Sequence, residues 1–433
     1  MKQKTVSKLP YKGTMDWYPK DVYARNYLFD IWTKVAKRYG YQQYDTPLIE
    51  DANLYKVKSG EEIANNQLYS FVDKGDREIA LRPEMTPSLA RIIAARKNEL
   101  SFPLRWFNIG KYYRYEKPQK GRRREFVQLN IDILGIDSIF AEVEIIQYIM
   151  DVMKELKAPL ETYELRINSR YLLDFLFDTI LSLDEDKKAK LGRALDNYLK
   201  MPESTFKEYL FEIGLSEEQV SNVLDFLTWD IDTLKKIKKK SKGAEQLLSL
   251  FKLLEELSVT NISFSPYIVR GLQYYTGIVI EMYDVGQAQN PRALFGGGRY
   301  DNLLEIFGEQ KIPAFGLGWG DITTLDYLNS YNLIPPYEEN IDIFVCLIDD
   351  KLFTQSFDVA SYLREKDFNV LQQFKANKLS KQLKFVNQQN IPWALIIGED
   401  EIKKGVVQLK DMRNRQSFLI KKEDIIEKIK KVA

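Results

Sequence analysis

The chain has 433 residues, 45% hydrophobic and 29% charged, with a net charge of +1, one cysteine and no histidine. This describes a globular protein of about three domains, with no global basic field, so any nucleic-acid contact must be local. The missing histidines exclude Ser/His/Asp and Cys/His nucleophile pairs, an imidazole base and a His-ligated zinc.

Cys346, in the apolar run IDIFVCLI, reads as a core residue; a lone cysteine excludes an internal disulfide framework and fits a reducing, cytoplasmic setting. No signal peptide is expected, and no apolar run reaches membrane-spanning length.

In chain order, residues 1–20 are turn-rich, with Pro10, Gly13 and Pro19. From Lys20 to Arg38 the apolar positions Tyr23, Tyr27, Leu28, Ile31, Trp32 and Val35 recur at helical spacing, which predicts an amphipathic helix ended near Gly40. YQQYDTPLIE (41–50) reads as one strand, which Pro47 assigns to an edge or an interface because proline removes a ladder donor. Residues 68–81 predict a hairpin turning at Lys74-Gly75, and Thr86-Pro87 opens a helix over 87–97.

Arg105 to Asp132 predicts a long antiparallel hairpin. Trp106, Asn108, Gly110, Tyr112 and Arg114 share one side of its first strand, with Phe107, Ile109, Lys111 and Tyr113 on the other. Pro118 and Gly121 break the run, after which Phe126, Gln128, Asn130 and Asp132 share one face. The loop from Lys117 to Arg124 carries five basic residues, a composition suited to phosphate; polar residues inside the strands suit a small ligand on the sheet.

A helix follows over 140–156. Residues 168–261 are glycine-poor and read as an all-helical insertion; its run LKKIKKKSKG (234–243) is either a solvated helix end or a contact to a polyanion. β character returns at 265–284 and in the glycine-rich stretches at 296–298 and 314–320. No P-loop is present, and Asp301 stands where a dinucleotide fingerprint needs its later glycine. Gly316, Gly318 and Gly320 alternate on one strand face, which leaves either a flat floor for a planar group or room for a closely packed helix.

Pro335 and Pro336 mark a linker. Beyond it, strands at 341–348, 368–374, 393–398, 406–412 and 416–420 alternate with helices at 351–366, 378–390 and 422–431, which predicts a separate α/β domain with a mixed sheet.

Arg114 and Arg270 lie in strand-like surroundings with Glu84, Glu116 and Asp132 in the same β-rich part. Such a set is either a structural ion-pair network or a site for an anionic, multi-phosphate substrate with an amino group nearby.

Along nearly its whole length the chain resembles the histidyl-tRNA synthetases, a family of the second class of aminoacyl-tRNA synthetases. The likeness is carried by GTMDWYP (13–19), YGYQQYDTPLIE (39–50), ALRPEMT (80–86), RYEKPQKGRRREFVQ (114–128), RGLQYYTG (270–277), GGGRYD (296–301) and GEDEIKKGVVQLKD (398–411). It implies an α+β fold: an antiparallel β-sheet catalytic core flanked by helices over 1–330, interrupted by a helical insertion at 170–260, and a C-terminal α/β anticodon-binding domain at 339–433.

The activity so implied is ATP-dependent activation of histidine to histidyl-adenylate, followed by transfer to the 3′ end of histidine tRNA. Mg²⁺ would accompany ATP, and the enzyme would be a cytoplasmic homodimer with no membrane association. The runner-up is a non-catalytic regulator or sensor of the ATP phosphoribosyltransferase regulatory-subunit type.

Residue by residue, the resemblance makes Arg114 and Arg270 the catalytic cations at the α-phosphate, and adds Glu116, near the adenine amino group, to the ATP site. Glu84, Thr86, Gln128, Asp132, Arg270, Tyr274, Tyr275 and Tyr300 are implied to bind histidine, and Gln119 and Arg122 to lie near the acceptor end of the tRNA. No protein side chain is assigned to a metal.

Three positions depart from the family pattern. Thr323 stands where the third class motif has an arginine, Gln273 replaces an aspartate, and Val127 replaces an aromatic residue or histidine, where packing suffices. Arg123 and Arg299 are the candidates to supply the missing charge.

Overall fold

The computed structural model describes residues 6–56, 66–119, 121–269, 274–286, 293–337 and 340–432. The chain divides into two compact units, Met1–Pro335 and Pro336–Ala433.

The strands of the first unit are β1 (Gln42–Gln43), β2 (Ile49–Asp51), β3 (Tyr69–Val72), β4 (Glu78–Leu81), β5 (Leu104–Tyr113), β6 (Glu125–Leu134), β7 (Tyr163–Ser169), β8 (Ile262–Phe264), β9 (Ile278–Asp284), β10 (Ala293–Arg299) and β11 (Ala314–Gly320). Eight of them form one sheet in the order β1-β5-β6-β11-β10-β9-β7-β8, and β2-β4-β3 form a small second sheet. The large sheet is antiparallel from β5 to β7 and parallel only where β1 and β8 join its edges.

The expected long hairpin is its centre: β5 and β6 pair from Leu104↔Leu134 to Tyr113↔Glu125. The β3–β4 hairpin also forms, with Asp73 Oδ1 accepting from the backbone of Gly75 and Arg77 to hold its turn.

One expectation is corrected. YQQYDTPLIE is not one strand: Pro47 lies between β1, in the large sheet, and β2, in the small one. A proline without an N–H cannot continue either ladder, so the chain changes sheets there.

The helix Pro19–Arg38 starts with proline at its first position, and Asp21 accepts from the Tyr18 amide at 3.2 Å. It buries Leu28, Ile31, Trp32, Val35 and Ala36. With the helix Phe140–Glu155 it covers one face of the large sheet, where Leu129, Ile131 and Ile133 of β6 and Phe315, Leu317 and Trp319 of β11 join a single core. Each such side chain contributes about 1.5–3 kcal/mol on burial.

Every described element between Arg170 and Glu256 is helical, as expected of the insertion. Asp184, Ser216, Asp230 and Ser241 cap four of these helices by accepting from the amide three residues on. In the lysine run, Lys235, Lys236, Lys238, Lys239 and Lys240 are exposed at the end of one helix and in the turn that follows, and Lys242 Nζ lies 3.9 Å from the Tyr171 ring centroid.

The second unit has β12 (Ile343–Val345), β13 (Val370–Gln372), β14 (Trp393–Ile396), β15 (Val407–Asp411) and β16 (Ser417–Ile420) in the order β13-β12-β14-β15-β16. The first three pair in parallel and the last two antiparallel, the mixed sheet that its alternating pattern suggested. Cys346 is fully buried, and that burial pushes its thiol up to about 12. Unforeseen is a short helix, Glu399–Lys403, whose Glu401 accepts from the Gly398 amide at 3.0 Å.

Candidate active site

On the large sheet's other face, Gln128, Asn130 and Asp132 of β6 line a cavity of about 1100 Å³. Gly316, Gly318 and Gly320 of β11, paired with Asp132, Asn130 and Gln128 respectively, line it as well. Period-two alternation therefore divides β6 between core and cavity. The same cavity takes in Glu84 and Thr86 from the start of the helix Thr86–Arg96, and Tyr274, Tyr275 and Tyr300. Arg114, Glu116 and Arg122, from the end of β5 and its loop, also line it. Gln119 pairs its backbone with Arg122 in an isolated bridge and is not a lining residue. Arg270 and Gln273 lie outside the described residues.

Two tyrosines hold two carboxylates. Tyr274 Oη donates to Glu84 Oε2 at 2.9 Å, and Tyr300 Oη donates to Asp132 Oδ1 at 2.5 Å. The rings of Tyr274 and Tyr275 lie 4.9 Å apart, and Tyr300 meets Tyr274 edge-on at 6.0 Å. Burial pushes the Asp132 carboxyl up to about 7, against the bond from Tyr300. Asp321, also buried, accepts from the Val127 amide at 3.0 Å and is likewise raised to about 7 by burial.

Beneath the cavity runs a polar network. Asn130 donates to Tyr112 Oη at 2.8 Å, Tyr112 donates to Asn108 at 2.9 Å, and Asn108 donates to Asp45 at 3.0 Å. Arg82, 2% exposed, donates to Asp45 and to the Thr46 and Lys111 carbonyls, with its guanidinium 4.9 Å from the Tyr112 ring centroid. The arginine of ALRPEMT is thus a brace. Asn130 was missed as a site residue, although its place between Gln128 and Asp132 in the alternation was the signal for it.

The basic residues sort by their partners. Arg114 donates its Nε to the Pro83 carbonyl at 3.0 Å, which leaves its two terminal amino groups without an acceptor among the described residues. Arg122 pairs with Glu116 at 3.1 Å. Arg123 lines the cavity without an ion-pair partner among the described residues.

Arg124, expected to meet phosphate, instead turns inward. It donates to the Glu116 carbonyl and to Tyr11 Oη, and stacks 4.0 Å from the Tyr115 ring centroid. Arg299 is corrected as well: 3% exposed, it is bidentate to Glu142 at 2.5 and 2.6 Å and bonds the Ile136 and Ser138 carbonyls. It has no free donor geometry for a ligand and cannot replace a charge at Thr323, whose Oγ1 donates to the Leu294 carbonyl at 2.9 Å.

The insertion supplies Arg170, Asp174, Lys188 and Arg193 to the cavity wall. Nothing in a helical, charge-rich sequence marked these out from other solvated positions.

The buried carboxyl of Asp132 sets a pH dependence. A carboxyl raised on folding binds its proton more tightly in the folded state, so its stabilising contribution is complete below about pH 3.9. It is lost as pH rises to about 7 and constant beyond. Asp132→Asn, which stays neutral, should therefore gain melting temperature over the parent as pH rises from about 5 to about 8. Thermal unfolding across that range measures it, and a difference that does not grow with pH would contradict the raised carboxyl.

The chain was also compared with known proteins. The family model described as histidyl-tRNA synthetase matches residues 13–320, and the model described as anticodon binding domain matches residues 342–432. A histidine–tRNA ligase of Leptospira biflexa serovar Patoc is 38% identical over 434 residues, covering 99% of each chain. One of Thermoplasma volcanium is 34% identical, covering 96% of each. In fold, the crystal structure of histidyl-tRNA synthetase from Nostoc sp. PCC 7120 is similar with a TM-score of 0.80 at 24% identity, covering 99% of this chain and all of that one. The chain belongs to the histidyl-tRNA synthetase family.

Proposed function

We infer that the chain is a histidine–tRNA ligase, which activates histidine with ATP and transfers it to the 3′ end of histidine tRNA. One observation carries the reading of the site: residues scattered from Glu84 to Tyr300, assigned by the resemblance to ATP, histidine and tRNA, line a single cavity.

In the first step the histidine carboxylate attacks the α-phosphorus of ATP and pyrophosphate leaves. Two anions must be brought together, so fixed cations and positioning supply most of the acceleration. Arg114 is suited to this task because Pro83 fixes its guanidinium through Nε while the terminal amino groups stay available. Arg270 is assigned the same role from its place in RGLQYYTG. Glu84 and Asp132 offer carboxylates to the cationic groups of histidine, Gln128 an amide, and Thr86, Tyr274, Tyr275 and Tyr300 the surrounding wall.

Glu116 is assigned to the adenine amino group, and Gln119 and Arg122 to the tRNA end. In the second step a terminal ribose hydroxyl attacks the acyl carbon and AMP leaves. Neither step needs a protein nucleophile, which agrees with a chain that has no histidine.

Mg²⁺ is read as part of the nucleotide substrate.

The regulatory alternative has Thr323 in its favour. The Arg114 geometry, the match at 342–432 and relatives named as ligases over almost their whole length weigh against it.

The reading includes a homodimer. It is supported by apolar side chains left exposed around the small sheet, Leu48, Ile49, Phe71 and Val72. Sedimentation at the mass of one 50.7 kDa chain would sink it.

The purified chain should catalyse ATP–pyrophosphate exchange only when histidine is present, and Arg114→Ala or Arg270→Ala should slow it roughly 10²–10³-fold. Exchange independent of histidine, or near-normal exchange in both variants, would contradict the assignment.

A further inference from the structure

The glycines of β10 and β11 are empty of side chain for different reasons. A methyl group built on Gly298 would meet Tyr275 Cδ1 at 2.7 Å and the Ile278 carbonyl oxygen at 2.9 Å. On Gly316 it would meet Asp132 Oδ1 at 1.9 Å and the Ile131 carbonyl oxygen at 2.9 Å. Both places are closed by main chain as well as by a side chain, so the glycine is needed for the sheet itself.

Gly318 differs. A methyl group there would lie 2.1 Å from Nε2, 2.8 Å from Cδ and 3.4 Å from Oε1 of Gln128, so that the three nearest atoms all belong to one side chain. In the β6–β11 ladder Gly318 faces Asn130, and Gln128 faces Gly320. The amide of Gln128 therefore reaches diagonally across β11 and lies down on the bare backbone of Gly318. The empty surface of this strand is neither a packing face for a helix nor a bare floor. It is occupied by the side chains of β6.

We propose that Gly318 is a positioning residue: it holds the Gln128 amide flat against β11, at the height histidine needs to bind. The proposal rests on the reading of Gln128 as a histidine ligand. Its physical basis is selective. A methyl group at 318 must lift a flexible amide but meets no backbone closer than 3.4 Å, so the fold can accept it. Alanine is also favoured over glycine in a strand, which works against any loss of stability.

The test is a double-mutant cycle in ATP–pyrophosphate exchange with the full chain, using Gly318→Ala, Gln128→Ala and the pair. Gly318→Ala should raise the KM for histidine roughly tenfold, the worth of one hydrogen bond. The KM for ATP should stay in place, and turnover should return at saturating histidine. The pair should be no worse than Gln128→Ala alone, because both changes remove the same interaction.

Additive effects, or a Gly318→Ala variant with unchanged histidine KM while Gln128→Ala is impaired, would overturn the proposal alone. A silent Gln128→Ala would overturn the assignment of Gln128 and the proposal with it. A fall in kcat with unchanged KM, or a large drop in melting temperature, would mean that Gly318 serves the sheet, and would also overturn it.

Discussion

Along β6, Val127, Leu129, Ile131 and Ile133 are buried, while Gln128, Asn130 and Asp132 between them face a cavity. A strand can do both because its side chains alternate, and a slip of one residue would exchange the two sets. The helices Pro19–Arg38 and Phe140–Glu155 fix the register by covering the apolar face. The neighbouring strand β11 makes room with glycines for the side chains of that polar face. Everything assigned to chemistry depends on that division, since the core that stabilises the sheet is the same structure that aims Gln128 and Asp132.

The polar face is held at some cost to the unliganded protein. Asp132 is buried with a tyrosine for its partner, and its carboxyl is pushed up to about 7. A cationic substrate group would restore the balance, which is what a binding site for an amino acid requires. Beside it Asn130, Tyr112, Asn108, Asp45 and Arg82 satisfy one another's buried polar groups in one network. Two kinds of arginine stand out around this site. Arg82, Arg124 and Arg299 are each held at two or more nitrogens by carbonyls, carboxylates or a phenol, and they brace the scaffold. Among the described residues Arg114 is fixed at one nitrogen only and has no acceptor at the others.

Much of this was legible in the sequence where local pattern decides. The β5–β6 hairpin, the helix Pro19–Arg38, the helical insertion and the mixed sheet after Pro336 all follow from periodicity, turn residues and caps. Ten of the residues carried over from the family motifs line one cavity, while Gln119 does not. What failed depended on contacts distant in sequence. Pro47 announced a break, but not that the chain would pass to another sheet. Arg299 looked available until Glu142, far away in the chain, was seen to hold it. The alternating glycines of β11 left two readings open because their purpose lies in β6. Arg170 and Arg193 could not be told from other charged helix positions, since only packing turns them to the cavity.

On the function inferred above, both substrates of the first step bind on the polar face of one antiparallel sheet. A crystal structure with a non-hydrolysable histidyl-adenylate analogue tests it most directly. The result expected is an analogue lying over Gly316 and Gly318, its histidine moiety against Gln128 and Asp132 and its phosphate within hydrogen-bond reach of Arg114. An analogue bound away from β6 and β11, or a phosphate that leaves Arg114 uncontacted, would contradict it.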